Sequence, residues 1–138
     1  MTNRSEALTL SSTFRAGSVM ADGSVCAGIS PDTGRPMFTT PNDAPPAPVY
    51  YEAAKYARRL DAHGHRDWRM PTKAELSVLF QNRAEIGNFD TTGSLPAGWY
   101  WSSSRHYFLI ACAQRFSDGL KNAFFSKYHA SSLRCVRG

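Results

Sequence analysis

Asp67-Trp68-Arg69-Met70-Pro71-Thr72-Lys73-Ala74-Glu75-Leu76 is the stretch on which the reading of this chain turns. Thr72 and Glu75 stand three apart, the spacing of a capping box. The threonine hydroxyl can accept from the backbone N–H of Glu75, and the carboxylate can accept from the N–H of Thr72. Pro71 keeps the helix from running further upstream. Leu76, Leu79 and Phe80 then recur as one apolar stripe, which predicts a helix from the cap to near Arg83.

Upstream, Val49, Ala53, Ala57 and Leu60 recur at helical spacing, with Glu52, Lys55, Arg58 and Arg59 mostly on other faces. They predict a second helix from Tyr50 to Ala62, stopped by Gly64. Pro41 to Pro48 holds four prolines and reads as a stiff, extended connector. Before it, Ser24–Ser30 and Met37–Thr40 flank Pro31-Asp32-Thr33-Gly34-Arg35-Pro36, the pattern of a β-hairpin. Residues 1–22 are polar with scattered apolar positions. They are expected to form an N-terminal arm and anchor ahead of a single domain spanning 23–138.

Downstream of the capped helix, Gly87–Gly98 reads as a loop. Trp99–Ser104, Phe108–Phe116, Lys121–Lys127 and Leu133–Val136 read as four strands of an antiparallel meander, with Ser117-Asp118-Gly119 as one turn. The order of an N-terminal β-hairpin, two helices and a C-terminal meander makes an α+β fold. A length of 138 residues suits one core, and 42% apolar with 20% charged residues is an ordinary globular balance. No apolar run approaches the roughly 20 residues of a membrane span. The segment Ala7–Leu10 is too short and polar for a leader core, so the expected location is a virion or the cytoplasm, without membrane insertion.

Three motifs carry a family resemblance. The Asp67–Leu76 stretch resembles the "DWRLPTxxEL" box of the DUF1566, or Lcl C-terminal domain, family. Trp99-Tyr100-Trp101-Ser102-Ser103-Ser104 is similar to its "YWSS" strand, and Leu133-Arg134-Cys135-Val136-Arg137 to its closing "RCVR". The resemblance covers about residues 50–137. It implies a C-type-lectin-like fold, shared with formylglycine-generating enzymes and with adhesin and phage-displayed domains. Trp68, Arg69, Pro71, Thr72, Glu75, Trp99, Trp101, Arg134, Cys135 and Arg137 are then expected to build the fold. Trp68 would pack beneath the capped helix, Arg69 would bond backbone carbonyls, and Trp99 and Trp101 would share one side of a strand.

The chemistry-bearing residues are sparse. Cys26, Cys112 and Cys135 form no CxxC pair, which excludes a zinc ribbon, and no copper-binding pair carries over from formylglycine-generating enzymes. The three cysteines read as small buried apolar side chains, or else as one bridge plus a free thiol; if a disulfide forms, Cys112 with Cys135 is the first choice, worth about 3 kcal/mol. His63 and His65 flank Gly64 without a nearby cysteine, and Asn88 and Asp90 alone do not make a calcium loop. No nucleophile elbow or phosphate loop occurs, so no catalytic residue, metal or cofactor is assigned and no enzyme is expected.

The charge is local. The net charge is +5, yet residues 1–98 hold ten charges of each sign. Arg105, Arg115, Lys121, Lys127, Arg134 and Arg137 against Asp118 supply the whole excess. Setting aside the motif arginines, Arg105, His106, Tyr107, Lys121, Asn122, Lys127, Tyr128 and His129 are the candidate ligand-binding residues, a mix suited to a glycan. The expectation is a non-enzymatic binding or display domain for a cell-surface glycan or protein receptor. It could serve as a phage virion component, docked to other virion proteins by its arm, and could be a homo-oligomer. Without a ligand it would be a purely structural decoration, collar or tail protein. Nucleic acid is not the expected partner, because no nucleic-acid motif accompanies the charge.

Overall fold

The computed structural model of the chain describes residues 14–45, 48–94, 98–107, 110–127 and 129–138, with the backbone alone at 105–107 and 123–126. Among them the fold is α+β, with three helices and two small antiparallel sheets. The elements are β1 (Val25–Ile29), β2 (Pro36–Thr39), α1 (Tyr50–Arg59), α2 (Lys73–Gln81), α3 (Arg83–Ile86), β3 (Trp99–Tyr107), β4 (Ile110–Arg115), β5 (Lys121–Ser126) and β6 (Val136–Arg137). The hairpin β1–β2 forms as the turn residues dictate, with Gly34 at φ +70°. A bulge at Gly28 (φ +108°) lets the end of α2 approach, where the Asn82 side-chain amide donates to Ala27 O. A Cβ on Gly28 would stand 3.0 Å from that amide nitrogen.

The expected four-stranded meander is three-stranded, in the order β3-β4-β5. Its anticipated fourth strand goes elsewhere: β6 pairs with β2, giving a first sheet ordered β1-β2-β6. Local bonds explain the diversion. Arg69 and Val136 exchange both backbone hydrogen bonds at 2.9 Å, and the Thr39 hydroxyl donates to Cys135 O at 2.7 Å.

The two expected helices are three. The helix placed at Tyr50–Ala62 stops at Arg59, because Leu60 is already extended. Gly64 does not end it but turns the tight Ala62–His65 bridge, beside His63 at φ +54°. The capped helix ends at Gln81, and Asn82 (φ −102°, ψ 16°) starts the short α3. Residues 14–22 of the expected arm fold back on β1: Gly17 N–H donates to Cys26 O and Cys26 N–H to Ser18 O, each at 2.8 Å. Residues 1–13 lie outside the described residues.

Strand β3 separates two apolar clusters. Trp99 and Trp101 share a side, as their spacing predicts, and pack with Ala53 and Ala57 of α1 and with Trp68, Leu133 and Cys135. Tyr100 points the other way and packs with Leu76 and Leu79 of α2, Phe116 and Val136. Trp68 lies in the α1 cluster rather than beneath α2, its indole N–H donating to Ala62 O at 3.0 Å.

Two buried ionic networks join these parts. Glu75, fully buried, completes the capping box and also accepts from Arg69 Nη1 (2.6 Å), Arg69 Nη2 (2.8 Å) and the Ser30 hydroxyl (2.6 Å). Arg69 does reach a carbonyl, that of Gly138, but its main partner is this carboxylate. Thr72 in turn donates to Asp32 in the hairpin turn. Arg134, only 1% exposed, donates to Asp43 Oδ1 (2.8 Å), Thr40 O (3.0 Å) and Gly87 O (3.2 Å), and its guanidinium lies over the Phe89 ring. The Tyr100 hydroxyl donates to the other oxygen of Asp43.

Burial by itself would push the Glu75 carboxyl up, but the bonds from Arg69, Ser30 and Thr72 N–H outweigh it and hold the group at about 2. A carboxyl depressed in the folded state stabilises fully above its unfolded value near 4.5 and loses that contribution as pH falls toward about 2. In acid titrations of stability, Glu75→Gln is therefore expected to flatten the loss between those two values, a difference of order 3 kcal/mol. Removing Arg134 leaves Asp43 half-desolvated without its cation. Arg134→Met is expected to lose about 3–5 kcal/mol in chemical denaturation.

Candidate functional site

The strand register decides which of the candidate ligand residues meet. Tyr107 faces Ile110, which faces Ser126, so Arg105, His106 and Tyr107 lie at the same end of the meander sheet as Lys127 and His129. Lys121 faces Gln114, which faces Tyr100, at the other end. Four positions along β4 separate the two ends, about 13 Å at roughly 3.3 Å per residue. The eight candidates therefore form two groups, not one patch. The side chains of Arg105, His106 and Tyr107, and all of Tyr128, lie outside the described residues. Lys127 Nζ sits 4.3 Å from the centroid of the Tyr50 ring, and His129 is exposed.

The basic excess also divides. Arg115 pairs with Asp118 across the β4–β5 turn (2.6 Å and 3.0 Å) and lies over the Trp99 ring. Arg134 pairs with Asp43, and Arg137 with Asp67 at 2.7 Å. Among the described side chains, Arg115, Arg134 and Arg137 are thus tied to carboxylates. Arg115 joins the two motif arginines in that role.

Lys121 and Asn122 lie at a pocket of about 180 Å³ between the meander sheet and the first turn of α2. Its wall also includes Lys73, Ser102, Cys112 and Gln114, and no acidic residue lines it among the described residues. The register explains the convergence: Tyr100, Gln114 and Lys121 form one cross-strand row, so alternate residues of three strands face α2. Ser102 donates to Cys112 O (2.7 Å), and the Lys73 N–H donates to the Ser104 hydroxyl (3.0 Å). Gln114 is 4% exposed, and its Nε2 donates to Gly119 O at 3.1 Å. Its Oε1 is buried and accepts no hydrogen bond among the described residues. A buried acceptor without a donor costs about 1–3 kcal/mol. Sequence reasoning passed over Lys73, Ser102 and Gln114. For Ser102 and Gln114 the signal was the period-two alternation already used for the tryptophans, extended to the neighbouring strand, whereas Lys73 is placed by the cap of α2.

A larger groove of about 640 Å³ runs between the connector and α1, walled by Pro45, Pro48, Tyr56 and Leu60 with Glu52 and Arg59 also lining it. It has no buried polar group lacking a partner among the described residues.

The family model of the Lcl C-terminal domain matches residues 9–137. The chain belongs to the Lcl C-terminal domain family. Among curated proteins, none matches it. The match reaches upstream of the three motifs and takes in the N-terminal hairpin and the segment packed on β1.

In this Lcl C-terminal domain all three cysteines are free, Cys26 and Cys135 buried as the first reading expects and Cys112 partly exposed, and the alternative Cys112–Cys135 bridge is not formed. The sheet itself keeps the pair apart. Cys112 faces the α2 side and lines the pocket, whereas Cys135 is buried with the tryptophans on the α1 side. Burial pushes the Cys135 thiol up to about 12 and also raises that of Cys26, whose Sγ donates to Phe14 O.

His63 and His65 clasp the folded-back N-terminal segment. His65 Nε2 lies 2.8 Å from Asp22 Oδ2, and His63 Nδ1 lies 3.0 Å from Asp22 O. The Ser24 hydroxyl and N–H, with His65, hold the Asp22 carboxyl well below its usual range. No group of His, Cys, Asp and Glu among the described residues is arranged to hold a metal ion. Asn88 and Asp90 serve the loop: Asn88 Nδ2 donates to Pro41 O, and Asp90 Oδ1 accepts from the Thr92 N–H and hydroxyl. The native domain is expected to react with a thiol reagent at Cys112, with Cys26 and Cys135 reacting only on unfolding. Mass mapping of the labelled cysteines checks this.

Proposed function

We propose that this domain is a non-enzymatic recognition module on a C-type-lectin-like frame, binding a cell-surface glycan or protein through its meander sheet. The observation that carries the reading is the placement of Lys121. It is exposed on β5, at the mouth of a pocket whose wall also includes Lys73, Ser102 and Gln114. Amides and hydroxyls match the hydroxyl edges of a sugar, and the ammonium groups favour an acidic ligand. The second group, Arg105 with Lys127, would act as a separate, longer-range attraction for an anionic surface, weakening as salt rises. Binding at each site would be modest, and display in several copies would raise the overall strength without new contacts. Display on a phage particle is part of this proposal. Mass spectrometry of purified virions checks it, and absence from particles would remove that part while leaving recognition standing.

The test is a glycan array and a cell-binding assay on wild type, Lys121→Ala, and the triple variant Arg105→Ala/Lys121→Ala/Lys127→Ala. Lys121→Ala is expected to weaken binding about tenfold, the size of one charge-assisted contact. The triple variant should lose more and show a shallower salt dependence. Equal binding by wild type and triple variant would sink the reading.

A further inference from the structure

We infer that the groove between the connector and α1 is a self-association face, covered by a second copy of this chain whose own α1 runs antiparallel about a two-fold axis. The groove lies on the α1 side of the meander sheet, away from the pocket at Lys121, so recognition and self-association can fail separately.

The walls of the groove are apolar where Pro45, Pro48, Tyr56 and Leu60 meet. Among the described residues, four charged side chains also line it, Glu52, Lys55, Arg59 and Asp61, two of each sign. A domain of net charge +5 repels its own copies, but this face carries none of that excess. Asp61 is committed to Arg66 at 3.0 Å. Glu52, Lys55 and Arg59 make no ion pair among the described residues, so both signs of charge stand available at the rim.

The order of side chains along α1 selects the occupant. Tyr51, Glu52, Lys55, Tyr56 and Arg59 fall on one face, spaced by one and then three or four residues, with Leu60 just past the helix end. Tyr51 is a large ring left 66% exposed beside the groove. A two-fold contact is self-complementary: whatever one residue meets, it is met by in the other copy. An antiparallel crossing centred between Lys55 and Tyr56 sets Glu52 opposite the partner's Arg59 and Tyr51 opposite the partner's Leu60. It also sets Lys55 against the partner's Tyr56, ammonium on ring. Each pair occurs twice by symmetry. Glu52 and Arg59 are seven residues apart, about 10.5 Å along the axis, so the two ion pairs flank the centre of the crossing. A parallel crossing in register would oppose glutamate to glutamate and arginine to arginine. The charge order therefore specifies both the antiparallel sense and a copy of this same helix.

The experiment is sedimentation velocity on the full chain over a concentration series. Wild type is expected to show a monomer–dimer equilibrium with a dissociation constant in the micromolar range. Glu52→Arg and Arg59→Glu each oppose like charges twice and should weaken the dimer at least about tenfold. Both side chains are exposed, so the thermal midpoints should not move. Mixing the two single variants restores opposite charges at both contacts, and so does combining both reversals in one chain. Each should return dimerisation to near the wild-type strength. A wild-type monomer at every concentration, a trimer, or a dimer that neither reversal weakens overturns the self-association face. Weakening by the single reversals without rescue in the mixture overturns the antiparallel two-fold arrangement.

Discussion

A guanidinium with almost no exposed surface must be ringed by acceptors, and Arg134 gathers them from segments far apart in the chain. It holds Thr40 just after β2, Asp43 of the connector, Gly87 and Phe89 of the loop after α3, and through Asp43 the hydroxyl of Tyr100 on β3. Burying such a charge is costly, and the cost is offset only when all these partners are in place. The arrangement therefore works as a constraint on geometry more than as a source of stability. It sets where the connector crosses β3, and so how α1 lies over one face of the meander while α2 lies over the other. Arg69 and Glu75 do the corresponding work between the capped helix and the hairpin.

Strand β3 then partitions the molecule. Its odd-numbered tryptophans belong to the α1 side, and Tyr100 and Ser102 to the α2 side. The pocket arises where this second side runs out of large apolar residues. Beyond Tyr100 and Phe116, the row facing α2 continues with Ser102, Cys112, Gln114 and Lys121, which are too small or too polar to close the gap to Lys73. The same alternation that builds the core also leaves the opening.

Local signals in the sequence were reliable. The capping box at Thr72 and Glu75, the hairpin around Gly34, and the shared side of Trp99 and Trp101 each depend on residues within a few positions of one another, and each is present. Long-range choices were not legible. Nothing within Leu133–Arg137 says that it pairs with a strand almost a hundred residues earlier instead of its neighbour. That choice is made by Arg69 and Thr39, which supply the backbone and hydroxyl partners. The choice between free thiols and a Cys112–Cys135 bridge was not legible for a related reason, since spacing along the chain does not reveal that the two face opposite sides of one sheet. The basic residues were correctly found in the last forty positions. Register split them into two groups, and the ion pair with Asp118 shows that Arg115 is held by its own turn.

The return of β6 to β2 has a consequence for the order in which the molecule is made. On the ribosome the hairpin emerges early, but its third strand consists of Val136 and Arg137, among the last of these residues to be translated. Until then the free edge of β2 stays unpaired, Asp43 waits for Arg134, and the apolar faces of both helices lack part of their cover. Contacts of such long sequence separation slow folding, and an open strand edge invites pairing with other chains. The domain is thus assembled late and all at once, and a nascent chain stalled before Arg134 would carry nearly every element of the fold without the means to lock them together.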